Sequence, residues 1–170
     1  GDKEASRKIL ITGGIHAREY ITCQLVMKQT VSFLEHLSNG DSCGDISYED
    51  LLRDTAVHVI CMVNPDGISI SQLGLDGVQT DAVRENLSQI AQLDGASLAD
   101  GTYLKRWKAN ANGVDLNRNF DALWDSYADP AGHPSSDHYK GTAPGCEIES
   151  AALIQLTLQQ QFTRTISYHT

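Results

Sequence analysis

Apolar residues fall into runs of two different periods along the chain. Residues 8–12, Lys-Ile-Leu-Ile-Thr, are short, branched and apolar, the pattern of a buried strand. Gly13 and Gly14 end it, because glycine takes up the backbone angles of a tight strand exit. The spacing then becomes helical: Cys23, Val26, Met27, Thr30, Phe33, Leu34 and Leu37 share one face, and Gly40 supplies a C-terminal stop. Further strands are predicted in "AVHVICMV" (Ala56–Val63) and "TRTISYHT" (Thr163–Thr170). Further helices are predicted over Ser47–Asp54, which opens on a capping serine, near Asp81–Leu93, and over roughly residues 146–161. Strands and helices in this order make an α/β domain.

Between these elements, "VNPDG" (Val63–Gly67) has strong turn chemistry. "GVDLNRNF" (Gly113–Phe120) alternates apolar and polar residues in the manner of a strand, and the stretch from the Asn-Pro-Asp-Gly turn to Trp107 reads as polar. "DPAGHPSSDH" (Asp129–His138) is expected to be a mobile loop at the rim of a cleft. No repeat, low-complexity tract or linker divides the chain.

The candidate chemistry gathers where strands end. "GGIHAREYIT" (Gly13–Thr22) sets His16 and Glu19 three residues apart on a strand-to-helix loop, the edge of an open α/β sheet where ligands bind. An imidazole and a carboxylate are both zinc ligands, and two side chains at this spacing reach a common point. The same pair also fits the polar start of a surface helix, and a zinc site needs a third protein ligand. His169 supplies one if its strand lies parallel to and beside the first; the alternative is a lone histidine at a strand end. His36 and His58 read as structural, His133 and His138 as solvated loop residues. Asn117 and Arg118 stand side by side, and an arginine fork with a neighbouring amide suits a planar carboxylate. Asp115 is placed to accept a hydrogen bond from a metal-bound histidine.

"GIHAREYI", "VNPDG", "GVDLNRNF", "YKG…EIES" and "ISYHT", in this order and spacing, resemble the zinc metallocarboxypeptidases of the A, B and T types, over nearly the whole chain. The resemblance implies a three-layer α/β/α fold with a mixed, mostly parallel sheet, and one zinc ion held by His16, Glu19 and His169. It implies that Asn117 and Arg118 grip the terminal carboxylate of a peptide, that Arg18 contacts the substrate further along, and that Asp115 orients His16. "RWKANANGVDLNRNF" (Arg106–Phe120) and "ISYHT" look more like the bacterial enzymes that cut γ-D-glutamyl–diaminopimelate bonds in cell-wall peptides. The digestive enzymes place an oxyanion-stabilising arginine after a tryptophan; here Lys108 follows Trp107, a point charge in place of a fork. Cys146 stands where the family usually has serine, a variation at a helix start.

The family also carries a general-base glutamate and a tyrosine downstream of the third ligand, and residues 1–170 contain neither. The chain is therefore expected to be a partial catalytic domain, incomplete on its C-terminal side. The expected function is zinc-dependent removal of C-terminal residues from peptides. The alternatives are a zinc- and carboxylate-binding module without turnover and a deacylase of the aspartoacylase type. "DLNRNF" together with "VNPDG" fits peptidases better than the deacylase.

Composition narrows the partners. Hydrophobic content of 41% and charged content of 21% suit a folded domain with a core. A net charge of −9 argues against a nucleic-acid partner, since phosphate binding needs excess Lys and Arg. No apolar run approaches the ~20 residues that span a bilayer. The four cysteines are widely spaced, match no Cys-x-x-Cys pattern, and lean towards free thiols in a reducing, cytoplasmic setting over a secreted one.

Overall fold

The computed structural model describes residues 5–170. Strand β1 (Arg7–Thr12) forms on the first apolar run. Helix α1 (Ile21–Asn39) follows and ends at Gly40, whose φ of 71° lets its N–H reach the His36 and Leu37 carbonyls. That left-handed cap carries no Cβ penalty at glycine. A two-stranded antiparallel ribbon, β2 (Ser42–Cys43) with β3 (Ile46–Ser47), leads to α2 (Tyr48–Leu52), where Ser47 Oγ accepts from Asp50 N as the capping pattern predicts. Strand β4 (Thr55–Ile60), helices α3 (Pro65–Leu73), α4 (Asp81–Leu93), α5 (Gly101–Lys105) and α6 (Ile148–Gln160), and strand β5 (Arg164–Ser167) complete the order.

The main sheet runs β4-β1-β5. All three strands are parallel, with Thr12 opposite Ile60 on one side and Ser167 on the other. The step from β1 to β4 and the return from β4 to β5 run in opposite directions, so right-handed crossovers put α1 and α6 on opposite faces. The connections thus diverge at β1, and the carboxyl ends of β1 and β5 share one edge, where open α/β sheets bind ligands. The mostly parallel sheet expected from the resemblance is present, its three strands all parallel among the described residues and antiparallel pairing confined to the β2–β3 ribbon.

Some local expectations are corrected. "VNPDG" is a helix start: Asn64 Oδ1 accepts from Gly67 N at 3.0 Å and Pro65 takes the first helical turn, where its missing N–H costs nothing. "GVDLNRNF" forms no strand. Asp115 turns back to accept from Asn117 N, closing a 3-10 turn over Leu116–Arg118, and Asp115 N is spent on the Tyr139 carbonyl. The stretch before Trp107, polar in composition, contains the larger core, where Ile70, Val78, Leu87, Ile90 and Leu104 pack with Trp107. Leu87, Ile90 and Ala91 follow the one-sided spacing of α4, so a polar average hides a buried face. Trp107 is fully buried and donates its indole N–H to the Asn110 carbonyl at 3.1 Å. At ~25 cal/mol per Å² over roughly 200 Å², its burial contributes about 5 kcal/mol.

The loop over residues 129–138, expected to be mobile, is bonded into the molecule. The Ser136 carbonyl accepts from Lys108 N and Ala109 N, and Ser135 N donates to the Gly113 carbonyl. Strand β5 is exposed along its length, and α6 fully buries only Ser150. All four cysteines are free thiols. Among the described residues no helix is long and apolar enough to cross a membrane.

Candidate metal centre

The turn after β1 is built to hold two side chains inward. Thr22 Oγ1 accepts from Gly14 N at 2.8 Å and donates to the Glu19 carbonyl at 2.7 Å, which folds residues 14–22 into a closed loop. Gly14 lies at φ 65°, a backbone that glycine adopts freely. His16 precedes a 3-10 turn over Ala17–Glu19 and keeps an extended backbone. Ala17 N donates to the Lys108 carbonyl at 3.0 Å, and Ala17 itself is fully buried in the larger core. His16 and Glu19 are thereby buried, at 5% and 6% exposure, on a loop anchored at both ends.

On the neighbouring strand, Tyr168 N continues the ladder by donating to the Thr12 carbonyl, and His169 follows at the same edge. Its Nδ1 lies 3.2 Å from His16 Nδ1 and 3.2 Å from Glu19 Oε2, while His16 Nδ1 lies 2.9 Å from Glu19 Oε1. One donor atom from each of the three residues falls within 4.8 Å of the others. His169 is exposed, so the group has two buried members and one open side.

The electrostatics explain what such a group wants. Asp115 is fully buried, and its Oδ1 lies 3.2 Å from His16 Nε2. Burial pushes its carboxyl upward, but the His16 contact and the Lys108 ammonium outweigh burial and hold it down to about 2. An ionised carboxylate at Nε2 draws the imidazole proton to that nitrogen and leaves a lone pair on Nδ1, even though the approach is too bent for an aligned hydrogen bond. That lone pair faces a carboxylate and a second imidazole nitrogen. Electron pairs so arranged repel unless a cation lies among them, and two imidazoles with one carboxylate are a zinc donor set with a position left open.

Asp115 links the group to Lys108, since its second oxygen meets the lysine. Lys108 is buried, its Nζ 3.0 Å from Asp115 Oδ2 and 2.8 Å from Asp137 Oδ1. Burial disfavours its charge, but the two carboxylates reverse that and leave its pKa above the ordinary lysine value. Arg18 donates to the Arg106 carbonyl at 3.2 Å and lies 3.4 Å from Asp137 Oδ2. Asn117 and Arg118 are half-buried in the 3-10 turn that follows Asp115. The Arg118 guanidinium stands over the Tyr127 ring at 4.8 Å, and its buried Nε lacks a hydrogen-bond partner. Its Nη1 donates to the Asn117 carbonyl at 3.3 Å, and among the described residues no carboxylate pairs with Arg118, so its charge is left for a ligand carboxylate. His36, His58 and His133 lie elsewhere: His36 pairs with Asp41, His58 meets Phe162 edge-on, and His133 contacts the Pro134 carbonyl. The residue missed in the sequence is Asp137, which no spacing rule singles out in "HPSSDHYK".

The sequence profile of the family described as zinc carboxypeptidase matches residues 1–170. The chain belongs to that family. Gamma-D-glutamyl-L-diamino acid endopeptidase 1 of Lysinibacillus sphaericus is 31% identical over 166 residues, 97% of this chain and 40% of that protein. Carboxypeptidase E of Caenorhabditis elegans is 26% identical over 170 residues, 95% of this chain and 30% of that protein. A crystal structure of thrombin activatable fibrinolysis inhibitor superposes with a TM-score of 0.68 at 20% identity, covering all of this chain and 36% of that one, which establishes the fold. The chain thus spans less than half the length of these relatives. The metal of a zinc carboxypeptidase is zinc, and the His16–Glu19–His169 group is fit to hold one ion.

Proposed function

We propose that this chain carries the zinc- and carboxylate-binding half of a peptidase that acts on peptides with a free C-terminus, with bacterial cell-wall peptides containing the γ-D-glutamyl–diamino acid bond as the first substrate class. The observation that carries the reading is the convergence of His16, Glu19 and His169 at one sheet edge, with the Arg118 guanidinium, which pairs with no carboxylate among the described residues, on the turn that follows Asp115. The relative named for that bond supports the substrate class over ordinary dipeptides.

His16, Glu19 and His169 hold the metal. Zinc, when bound, supplies Lewis acidity, polarising a carbonyl and making water nucleophilic near neutral pH. Asp115 keeps the His16 proton on Nε2 and so keeps Nδ1 free for the metal. Arg118 and Asn117 bind the terminal carboxylate and set the scissile bond in register, the positioning that turns an encounter into a reactive geometry. Lys108 presents a positive charge to a developing oxyanion, and Arg18 contacts the peptide further along.

Proton transfer needs a positioned side chain that is free to take up and release a proton. Asp115 and Asp137, which adjoin the group, are both ion-paired with Lys108. That observation favours a second reading, in which the 170-residue chain binds zinc and peptide without turnover. Hydrolysis of γ-D-glutamyl–diaminopimelate peptides and of ordinary C-terminal dipeptides by the zinc-loaded chain separates the two. Turnover supports the peptidase reading and points to a base within the chain. Peptide binding without turnover supports the binding reading, and neither binding nor turnover refutes both.

A further inference from the structure

We propose that Asp137 is a positioning residue for the hydrolysis, fixing Lys108 and Arg18 at the rim of the His16–Glu19–His169 group; the proposal rests on the peptidase reading above. Asp137 Oδ1 lies 2.8 Å from Lys108 Nζ, and its Oδ2 lies 3.4 Å from Arg18 Nη2. One carboxylate thus holds two of the predicted site cations, one with each oxygen. The His138 imidazole, 3.0 Å from Asp137 Oδ1, is a third neighbour on the solvent side.

The backbone around Asp137 is arranged to keep it there. The Ser136 carbonyl accepts from Lys108 N at 3.0 Å and from Ala109 N at 3.1 Å. Ser136 N donates to Asp94 Oδ2 at 2.9 Å. The residue before Asp137 is therefore joined to the Lys108 backbone while Asp137 itself meets the Lys108 side chain. The loop is thus fastened to Lys108 through both backbone and side chain.

The arrangement solves a problem peculiar to lysine. An arginine at this position would be held flat by its own fork, whereas an ammonium sits on a flexible four-carbon stem. Asp115 alone would draw Lys108 towards His16 and away from the open side. With Asp115 3.0 Å on one side and Asp137 2.8 Å on the other, Nζ is bracketed between two carboxylates and its location is set. A charge that is already in place when an oxyanion develops stabilises it without reorganisation. Both carboxylates also keep this buried ammonium protonated.

The test is a double-mutant cycle on the full-length, zinc-loaded protein with its best peptide substrate. Asp137→Ala is expected to lower kcat about tenfold, less than the loss of a whole oxyanion donor, with zinc stoichiometry unchanged. Asp137→Glu is expected to recover most of that loss. In a Lys108→Ala background, Asp137→Ala is expected to change kcat less than twofold, because the carboxylate acts on kcat through the lysine while its Arg18 contact bears on KM. A kcat within twofold of wild type for Asp137→Ala, or full additivity in the double variant, overturns the proposal. If wild-type protein hydrolyses no peptide, the peptidase reading fails, and the positioning is then read on amine acylation of Lys108 followed by mass spectrometry. Acylation at least fivefold faster in Asp137→Ala supports the bracket, and an unchanged rate overturns it.

Discussion

Asn64 is the residue whose loss is expected to propagate furthest. It is fully buried, and three bonds leave its amide: Oδ1 accepts from Gly67 N at 3.0 Å, and Nδ2 donates to the Ile15 carbonyl at 3.2 Å and the Ala109 carbonyl at 3.1 Å. It therefore caps α3, fastens the residue before His16, and fastens the residue after Lys108. Asn64→Ala removes a cap worth ~1 kcal/mol and leaves two buried carbonyls without a donor, at about 1 kcal/mol each. The sum is about 3 kcal/mol, or a fall in Tm of roughly 6–12 °C for a domain of this size. Urea unfolding in excess chelator measures it free of any metal contribution. Asn64→Ser keeps the cap and is expected to lose about 2 kcal/mol. Zinc affinity is expected to fall in both variants, because the His16 loop loses its tie to α3. A loss below about 1 kcal/mol for Asn64→Ala, with the urea dependence unchanged, would refute the assignment of these bonds as structural.

Two further outcomes follow from the same geometry. Arg118→Ala is expected to weaken binding of peptides with a free C-terminus at least tenfold while leaving amidated peptides within twofold; calorimetric titration of both classes checks this, and equal losses would make Arg118 structural. Asp94 titrates below the ordinary aspartate range, since burial is outweighed by bonds from Ser136 N and the Tyr103 hydroxyl. A carboxyl with a lowered folded pKa contributes stability above its unfolded pKa of ~3.9 and loses it as pH falls through the folded value. Wild-type protein is therefore expected to be more stable than Asp94→Asn near pH 6, with the gap narrowing below pH ~4 in Tm measurements; a gap that stays constant with pH contradicts this.

The elements that were legible in the sequence are those whose residues answer to local rules. The strand on the branched residues at 8–12, the helix that ends at Gly40, and the helix over Asp81–Leu93 form as read, although Met27 and Leu34 on the apolar face of α1 stay exposed. The candidate ligands were legible for a related reason: His16 and Glu19 are close in sequence, and His169 follows a strand whose partner a parallel arrangement predicts. What escaped was decided by distant contacts. Asn64-Pro65-Asp66-Gly67 is equally good as turn or helix start, and Asn64's bonds to Ile15 and Ala109 choose the helix. "GVDLNRNF" alternates like a strand, yet Asp115 is held by Tyr139, His16 and Lys108, none of which is local to it. Asp137 was invisible because its role exists only once Lys108 and Arg18 are brought to it.

Zinc stoichiometry decides whether His16, Glu19 and His169 form one metal site. Competitive titration of the metal-free chain against a zinc indicator is expected to give one ion per chain. His16→Ala, Glu19→Ala and His169→Ala are each expected to lose that stoichiometric site while keeping the circular dichroism of the folded chain. One zinc retained per chain in both His16→Ala and His169→Ala would contradict the account and place the metal elsewhere.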